Sequence, residues 1–118
     1  MRKMTSTITY SFGDIILVDF PFSSNIGSKK RPAVIISSNQ FNEERIDLVL
    51  MAITSKIDKL GSGEAKIKNW SKAGLLKDSA LKSVIFTVEK INIDKKLGSL
   101  MADDLSTLEC CLREIFKF

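Results

Sequence analysis

Apolar residues in this chain gather in short runs separated by small polar clusters, and the runs predict strands. Asp14–Phe20 (Asp-Ile-Ile-Leu-Val-Asp-Phe) is β-branched and apolar behind Gly13, and Pro21 stops it because proline has no N–H to give a ladder. Pro32–Ser37 (Pro-Ala-Val-Ile-Ile-Ser) is apolar on both faces, the pattern of a central strand. Ile46–Ser55 is a third strand, Glu64–Asn69 alternates charged and apolar residues as a half-exposed strand does, and Ser79–Val88 holds a further strand ending near Phe86-Thr87-Val88. Between them, Ser23–Lys30 and Asp58–Gly63 read as loops, the first mobile. Asn39–Arg45 and Trp70–Leu76 each have room for one helical turn.

Near the C-terminus the period changes. Leu105, Leu108, Leu112, Ile115 and Phe116 recur at three- and four-residue spacing, so one apolar stripe of a helix is expected, with Asp103 and Asp104 at its positive end. Short strands followed by one helix predict a mainly β fold with α: a compact antiparallel barrel or curled sheet with the helix packed on it. Strands and helices do not alternate, so a doubly wound parallel sheet is not expected. With 118 residues and no repeat, linker or low-complexity stretch, the chain is expected to form one domain over 1–118, with 1–12 a flexible N-terminal extension.

Composition narrows the chemistry. Histidine is absent, which excludes a Ser-His-Asp triad, a histidine metal site and a two-histidine ribonuclease mechanism. The two cysteines, Cys110 and Cys111, are neighbours and cannot close a structural loop; without a CxxC or Cys/His cluster, no metal site is indicated, and reduced thiols on the helix, one of them buried, are expected. No cofactor motif is present. The formal net charge of +4 is interspersed, which suits an acidic or polyanionic partner and equally suits ordinary solubility. Met1-Arg2-Lys3-Met4-Thr5 has no apolar h-region and no run approaches a membrane span, so a cytoplasmic location without a membrane partner is expected.

Arginine, lysine, carboxylates and hydroxyls must then carry any chemistry. Arg31 lies between a polar loop and the proline that opens an apolar strand. A guanidinium held there can grip phosphate with two hydrogen bonds, although an arginine at that point also simply marks a strand boundary. Thr54 and Ser55 end the third strand, with Lys56 beyond; two hydroxyls and an ammonium can donate to a phosphate, and hydroxyls at strand ends also make turns.

Taken in order, the segments form a more specific pattern: Gly13-Asp14-Ile15, Leu17-Val18-Asp19-Phe20, Lys30-Arg31-Pro32-Ala33-Val34-Ile35-Ile36-Ser37, Ile53-Thr54-Ser55-Lys56, Trp70-Ser71-Lys72-Ala73-Gly74-Leu75 and Leu97-Gly98-Ser99-Leu100. This set, from about Gly13 to the C-terminus, resembles the MazF/PemK family of toxin endoribonucleases. The resemblance implies a small SH3-like antiparallel β-barrel with a C-terminal helix, a homodimer, and cleavage of single-stranded RNA at short sequences without a metal. It also implies a partner antitoxin with a flexible acidic tail. On the resemblance, Arg31 and Thr54 fall on the family's catalytic arginine and threonine, and Ser55 on a position some members use for RNA contact.

Two departures stand out. Where many members carry Val-Arg, this chain has Leu81-Lys82, and Lys82 keeps the charge without the bidentate fork. The terminal helix is expected to begin at a hydroxyl or acidic cap; Met101 occupies that place, and Asp103 is the residue expected to take over the cap.

The implied reaction is attack of the RNA 2′-OH on the adjacent phosphorus, with Arg31 and Thr54 stabilising the equatorial oxygens and leaving 2′,3′-cyclic phosphate and 5′-OH ends. Arginine remains protonated in proteins, so the general base is sought among Asp19, Glu64 or a lysine with a lowered pKa. Substrate contacts are expected from Ser55, Lys56, Lys30 and Lys82, with Lys29 and Lys30 steering the backbone, and from Phe22, which either stacks a base or packs. A CcdB-like gyrase-binding toxin is the first rival, but such chains typically end Trp-Gly-Ile and this one ends Ile115-Phe116-Lys117-Phe118. An inactive nucleic-acid-binding barrel is the second. A proline-peptide module of the SH3 type is the third, and one Trp and one Tyr make a poor aromatic groove for it.

Overall fold

The computed structural model describes residues 8–19 and 29–117. Six strands run β1 (Asp14–Asp19), β2 (Lys30–Ile35), β3 (Asp47–Thr54), β4 (Ala65–Lys66), β5 (Ala80–Glu89) and β6 (Ile93–Ser99). A short helix α1 (Asn39–Glu44) links β2 to β3, a 3₁₀ turn (Lys90–Asn92) links β5 to β6, and helix α2 (Ala102–Ile115) closes the described chain. The sheet order is β4-β5-β3-β2-β1-β6, with every pairing antiparallel. The expected antiparallel sheet with a C-terminal helix is therefore present. Among the described residues its edges β4 and β6 do not pair, so the sheet is curled and open.

Both faces are buried, which explains why β2 is apolar on alternate and intervening positions alike. One face carries Ile15, Val34, Met51, Ile53 and Leu81 against Leu108 and Cys111 of α2. The other gathers Ile16, Val18, Ala33, Ile35, Leu48, Leu50, Ala52 and Phe86, with Val88 of β5 and Ile93 of β6 packed on the same cluster. β5 and β6 lie near opposite ends of the strand order, so their meeting in one cluster is what curls the sheet.

Helix α2 is seated chiefly by Leu108 and Cys111, which are fully and almost fully buried; Leu105, Leu112 and Ile115 flank them. Cys111 takes the buried thiol place and Cys110 the exposed one, and burial pushes the Cys111 thiol up, away from reactive thiolate. Phe116 does not belong to the stripe: it is the C-cap residue and 45 % exposed. The cap expected from Asp103 is also absent. Met101 is the N-cap without a side-chain hydrogen bond, and the acid put to use is its neighbour. Asp104, 2 % exposed, accepts from the backbone N–H groups of Lys68 and Asn69 at 2.8 Å each. That diversion of two amides shortens β4 to Ala65–Lys66, where a strand to Asn69 was expected. The chain then makes one turn, with Ala73 N–H donating to Asn69 O.

β6 is the strand the pattern does not announce. Ile-Asp-Lys-Lys-Leu-Gly-Ser is mostly exposed and pairs only with β1, so backbone pairing holds it, helped by Ile93 and Leu97 at the two cores and by Lys96 and Ser99 on Asp14. Its Gly98 meets Gly74 of the preceding turn backbone to backbone. A Cβ on Gly98 would lie 2.2 Å from Ala73 O, and one on Gly74, at φ +97°, would lie 2.2 Å from Leu97 O. The Ala-Gly-Leu and Leu-Gly-Ser segments are thus two halves of one contact. Gly98→Ala is expected to cost at least about 2 kcal/mol, read as a lower urea midpoint at unchanged slope, because the obstructing atoms are backbone and cannot swing aside.

Candidate functional site

Three strands bring their polar residues to one end of the inner face. Side chains alternate along a strand, so Arg31 shares a face with Ala33 and Ile35, Thr54 with Leu50 and Ala52, and Lys82 with Val84 and Phe86. Ala33 faces Ala52 across the β2–β3 ladder. Two residues further toward the same end, beyond that pair, lie Arg31 and Thr54. On the other side of β3 the register shifts between Met51 and Ile53, so that Thr54 comes to lie opposite Ala80. Such bulges re-aim side chains at sites, and this one sets Lys82 beside the end of β3.

The result is a cleft of about 420 Å³ lined by Arg31, Ala52, Ile53, Thr54, Lys56, Asp58, Lys59, Lys82 and Val84. Its floor is apolar and its rim carries four cations against the single carboxylate of Asp58, which favours an anionic occupant. Thr54 Oγ1 accepts from the Lys56 backbone N–H at 3.1 Å. That bond folds the chain back after β3 and leaves the hydroxyl proton available to donate. It also leaves Ser55 exposed at the bend, where it does not line the cleft.

Other expected residues stand elsewhere. Lys30 faces Asp19 across the β1–β2 ladder and bonds it at 3.0 Å; that hydrogen bond raises the Lys30 ammonium above its ordinary value, and neither residue lines the cleft. Phe22 lies outside the described residues. Asp58 and Lys59 line the cleft from the 56–63 loop, which the sequence marks as a candidate for reading substrate bases without singling out either residue. Among the described residues no three His, Cys, Asp or Glu side chains gather into a metal-binding group, and no helix is long and apolar enough to cross a membrane.

Glu64 is placed as a brace and not as a free base. Its side chain is 13 % exposed and 4.0 Å from the Lys82 ammonium. One oxygen accepts from Gly61 N–H at 3.0 Å, and the other from Ser83 N–H and Ser83 Oγ at 3.1 and 3.0 Å. The Gly61 and Ser83 amides, more than Lys82, hold the carboxyl below the usual carboxylate range.

A small curled antiparallel sheet, backed by one helix and opening on a cationic cleft, is the class of protein these features define. The chain belongs to the PemK-like, MazF-like toxins of type II toxin-antitoxin systems, whose sequence profile matches residues 11–116. Solved structures agree with the fold. A mycobacterial endoribonuclease solved in complex with its cognate antitoxin is 18 % identical, with a TM-score of 0.71 over 87 % of this chain and 90 % of that one. MazF from Deinococcus radiodurans is 15 % identical with a TM-score of 0.72, covering 92 % of this chain and 97 % of that one. The Mycobacterium tuberculosis toxin MazF-mt6 is 18 % identical with a TM-score of 0.68, covering 86 % and 95 %. A comparison with curated protein sequences finds no match.

Because the folded Glu64 has a lowered pKa, its contribution to stability is present above the ordinary carboxylate value and is lost as pH falls through the lower folded value. Urea midpoints measured from about pH 5 down to about pH 3 should therefore fall more steeply for the native chain than for Glu64→Gln.

Proposed function

We propose that this chain is an endoribonuclease toxin that cuts single-stranded RNA by internal 2′-OH attack. The observation that carries the reading is the convergence of Arg31, Thr54, Lys56 and Lys82 on one cleft from three strand ends. A phosphodiester seated there meets the Arg31 guanidinium and the Thr54 hydroxyl on its non-bridging oxygens, where charge builds in the transition state. The 2′-oxygen bonds to phosphorus while the bond to the 5′-oxygen breaks. The 2′-OH loses its proton, the 5′-oxygen gains one, and the ends are a 2′,3′-cyclic phosphate and a 5′-OH. No step in this scheme requires a metal.

Asp58 is the carboxylate on the cleft wall, which makes it the group placed to take the 2′-OH proton. Lys56, Lys59 and Lys82 neutralise flanking phosphates, and Ser55 is exposed at the bend outside the cleft lining. The partner is an antitoxin, as in the antitoxin-bound relatives; on the family resemblance its acidic tail competes for the same cations, and a homodimer in a cytoplasmic setting completes the reading.

Purified chain incubated with a long RNA in EDTA should give discrete cuts with 5′-OH ends. Arg31→Ala should lower the cleavage rate by about 10³-fold and Thr54→Ala by about 10²-fold, with circular dichroism unchanged. Intact RNA from well-folded native chain would refute the reading. Lys82 in place of an arginine favours one alternative, a nucleic-acid-binding barrel without cleavage; RNA retained in a gel shift yet never cut is the result that would select it. If Lys82 acts as a point charge on phosphate, Lys82→Arg should keep the activity within about threefold and Lys82→Ala should weaken RNA binding and flatten its salt dependence.

A further inference from the structure

We infer that Glu64 is a positioning residue that ties the two walls of the cleft together and so sets the distance between Lys82 and the 56–59 loop. The inference rests on the RNA-cleaving reading of the cleft and deepens it. One wall is the loop after β3, which carries Lys56, Asp58 and Lys59 and returns through Gly61. The other is the bulged start of β5, which carries Lys82 and Val84 on the cleft side and Ser83 between them.

Ala80 and Leu81 are laddered to both β3 and β4, but just beyond them β5 departs from its register with β3 where Lys82 stands, and the loop residues Lys56, Asp58 and Lys59 belong to no strand. Glu64 spans the gap. Its Oε1 holds Gly61 N–H, while its Oε2 holds both donors of Ser83 and faces the Lys82 ammonium. The Glu64 backbone N–H also donates to Gly61 O at 3.1 Å, closing the turn from inside. Every hydrogen bond the carboxylate accepts comes from the two cleft walls, while the residue itself does not line the cleft. That placement fits a positioning role better than proton transfer with substrate. Losing it removes the ties between the walls, and small misplacements of substrate-positioning groups are costly.

The test uses the full-length chain and its Glu64→Gln, Glu64→Asp and Ser83→Ala variants. Steady-state cleavage of a single-stranded RNA oligonucleotide cut by the native chain is measured together with amide hydrogen exchange at Gly61 and Ser83. Glu64→Gln should raise KM about tenfold and change kcat less than about threefold, with exchange at both amides faster by about tenfold. Glu64→Asp keeps the charge but shortens the reach, so it should fall between. Ser83→Ala should raise KM about threefold and add less than that on the Glu64→Gln background, since the two share one contact.

A kcat loss of about 10³-fold at constant KM would overturn the inference in favour of direct proton transfer. Unchanged kinetic constants with a lowered Tm would overturn it in favour of plain structural support, and unchanged amide exchange would overturn it outright. Should the native chain bind but not cut RNA, the cleavage reading falls separately. Oligonucleotide Kd then replaces KM, and the same ratios decide the role of Glu64.

Discussion

Ala33 faces Ala52 across the β2–β3 ladder, and the placing of Arg31 beside Thr54 follows from that pairing. Side chains on a strand alternate, so a slip of one residue would turn Arg31 toward the α2 side of the sheet and bring Ile35 out of its cluster. The register is strongly specified because both faces are buried: Val34 belongs to the helix-side core, Ala33 and Ile35 to the inner one. Hydrophobic burial thereby fixes the place of a cation and a hydroxyl that are themselves at the exposed end. The bulge in the β3–β5 ladder then brings in the third strand, and Glu64 satisfies the Ser83 amide that the irregularity leaves unpaired by the ladder.

The other half of the molecule serves to keep this sheet curled. Helix α2 covers one face with Leu108 and Cys111, and it binds the chain a second way through the buried Asp104 carboxylate on the Lys68 and Asn69 amides. Those bonds turn the chain out of β4 and into the tight turn whose Gly74 backbone touches Gly98 of β6. At the far edge Asp14, 4 % exposed, holds Ser99 Oγ at 2.6 Å and Lys96 Nζ at 3.0 Å, which anchors β6 to the start of β1. The buried carboxylates therefore act as backbone organisers, each accepting from several donors, as a charge taken out of water must. The exposed pair Lys30–Asp19 contributes little by comparison, because solvent screens it.

Charge around the cleft divides by place. Lys30 is committed to Asp19 outside the cleft, while Glu64 stands 4.0 Å from Lys82 at its edge. Four cations around an apolar floor make a cleft that attracts an anion.

The sequence made the strands β1, β2, β3 and β5 and the helix α2 legible, because β-branched runs and a period of 3.6 are local signals; the choice of Arg31 and Thr54 rests on the family resemblance of the segments that hold them. The sequence did not determine β6, whose polar residues are held by backbone pairing with a distant strand. Nor did it determine the early end of β4 or the uncapped start of α2, both set by where Asp104 finds donors 35 and 36 residues away. Arg31 and Thr54 can act on one group only as neighbours, and their neighbourhood is a matter of register. That Glu64 is held by Gly61 and Ser83, and that Asp58 and Lys59 line the cleft, are results of tertiary contact: the donors around a carboxylate come from segments far apart in the chain.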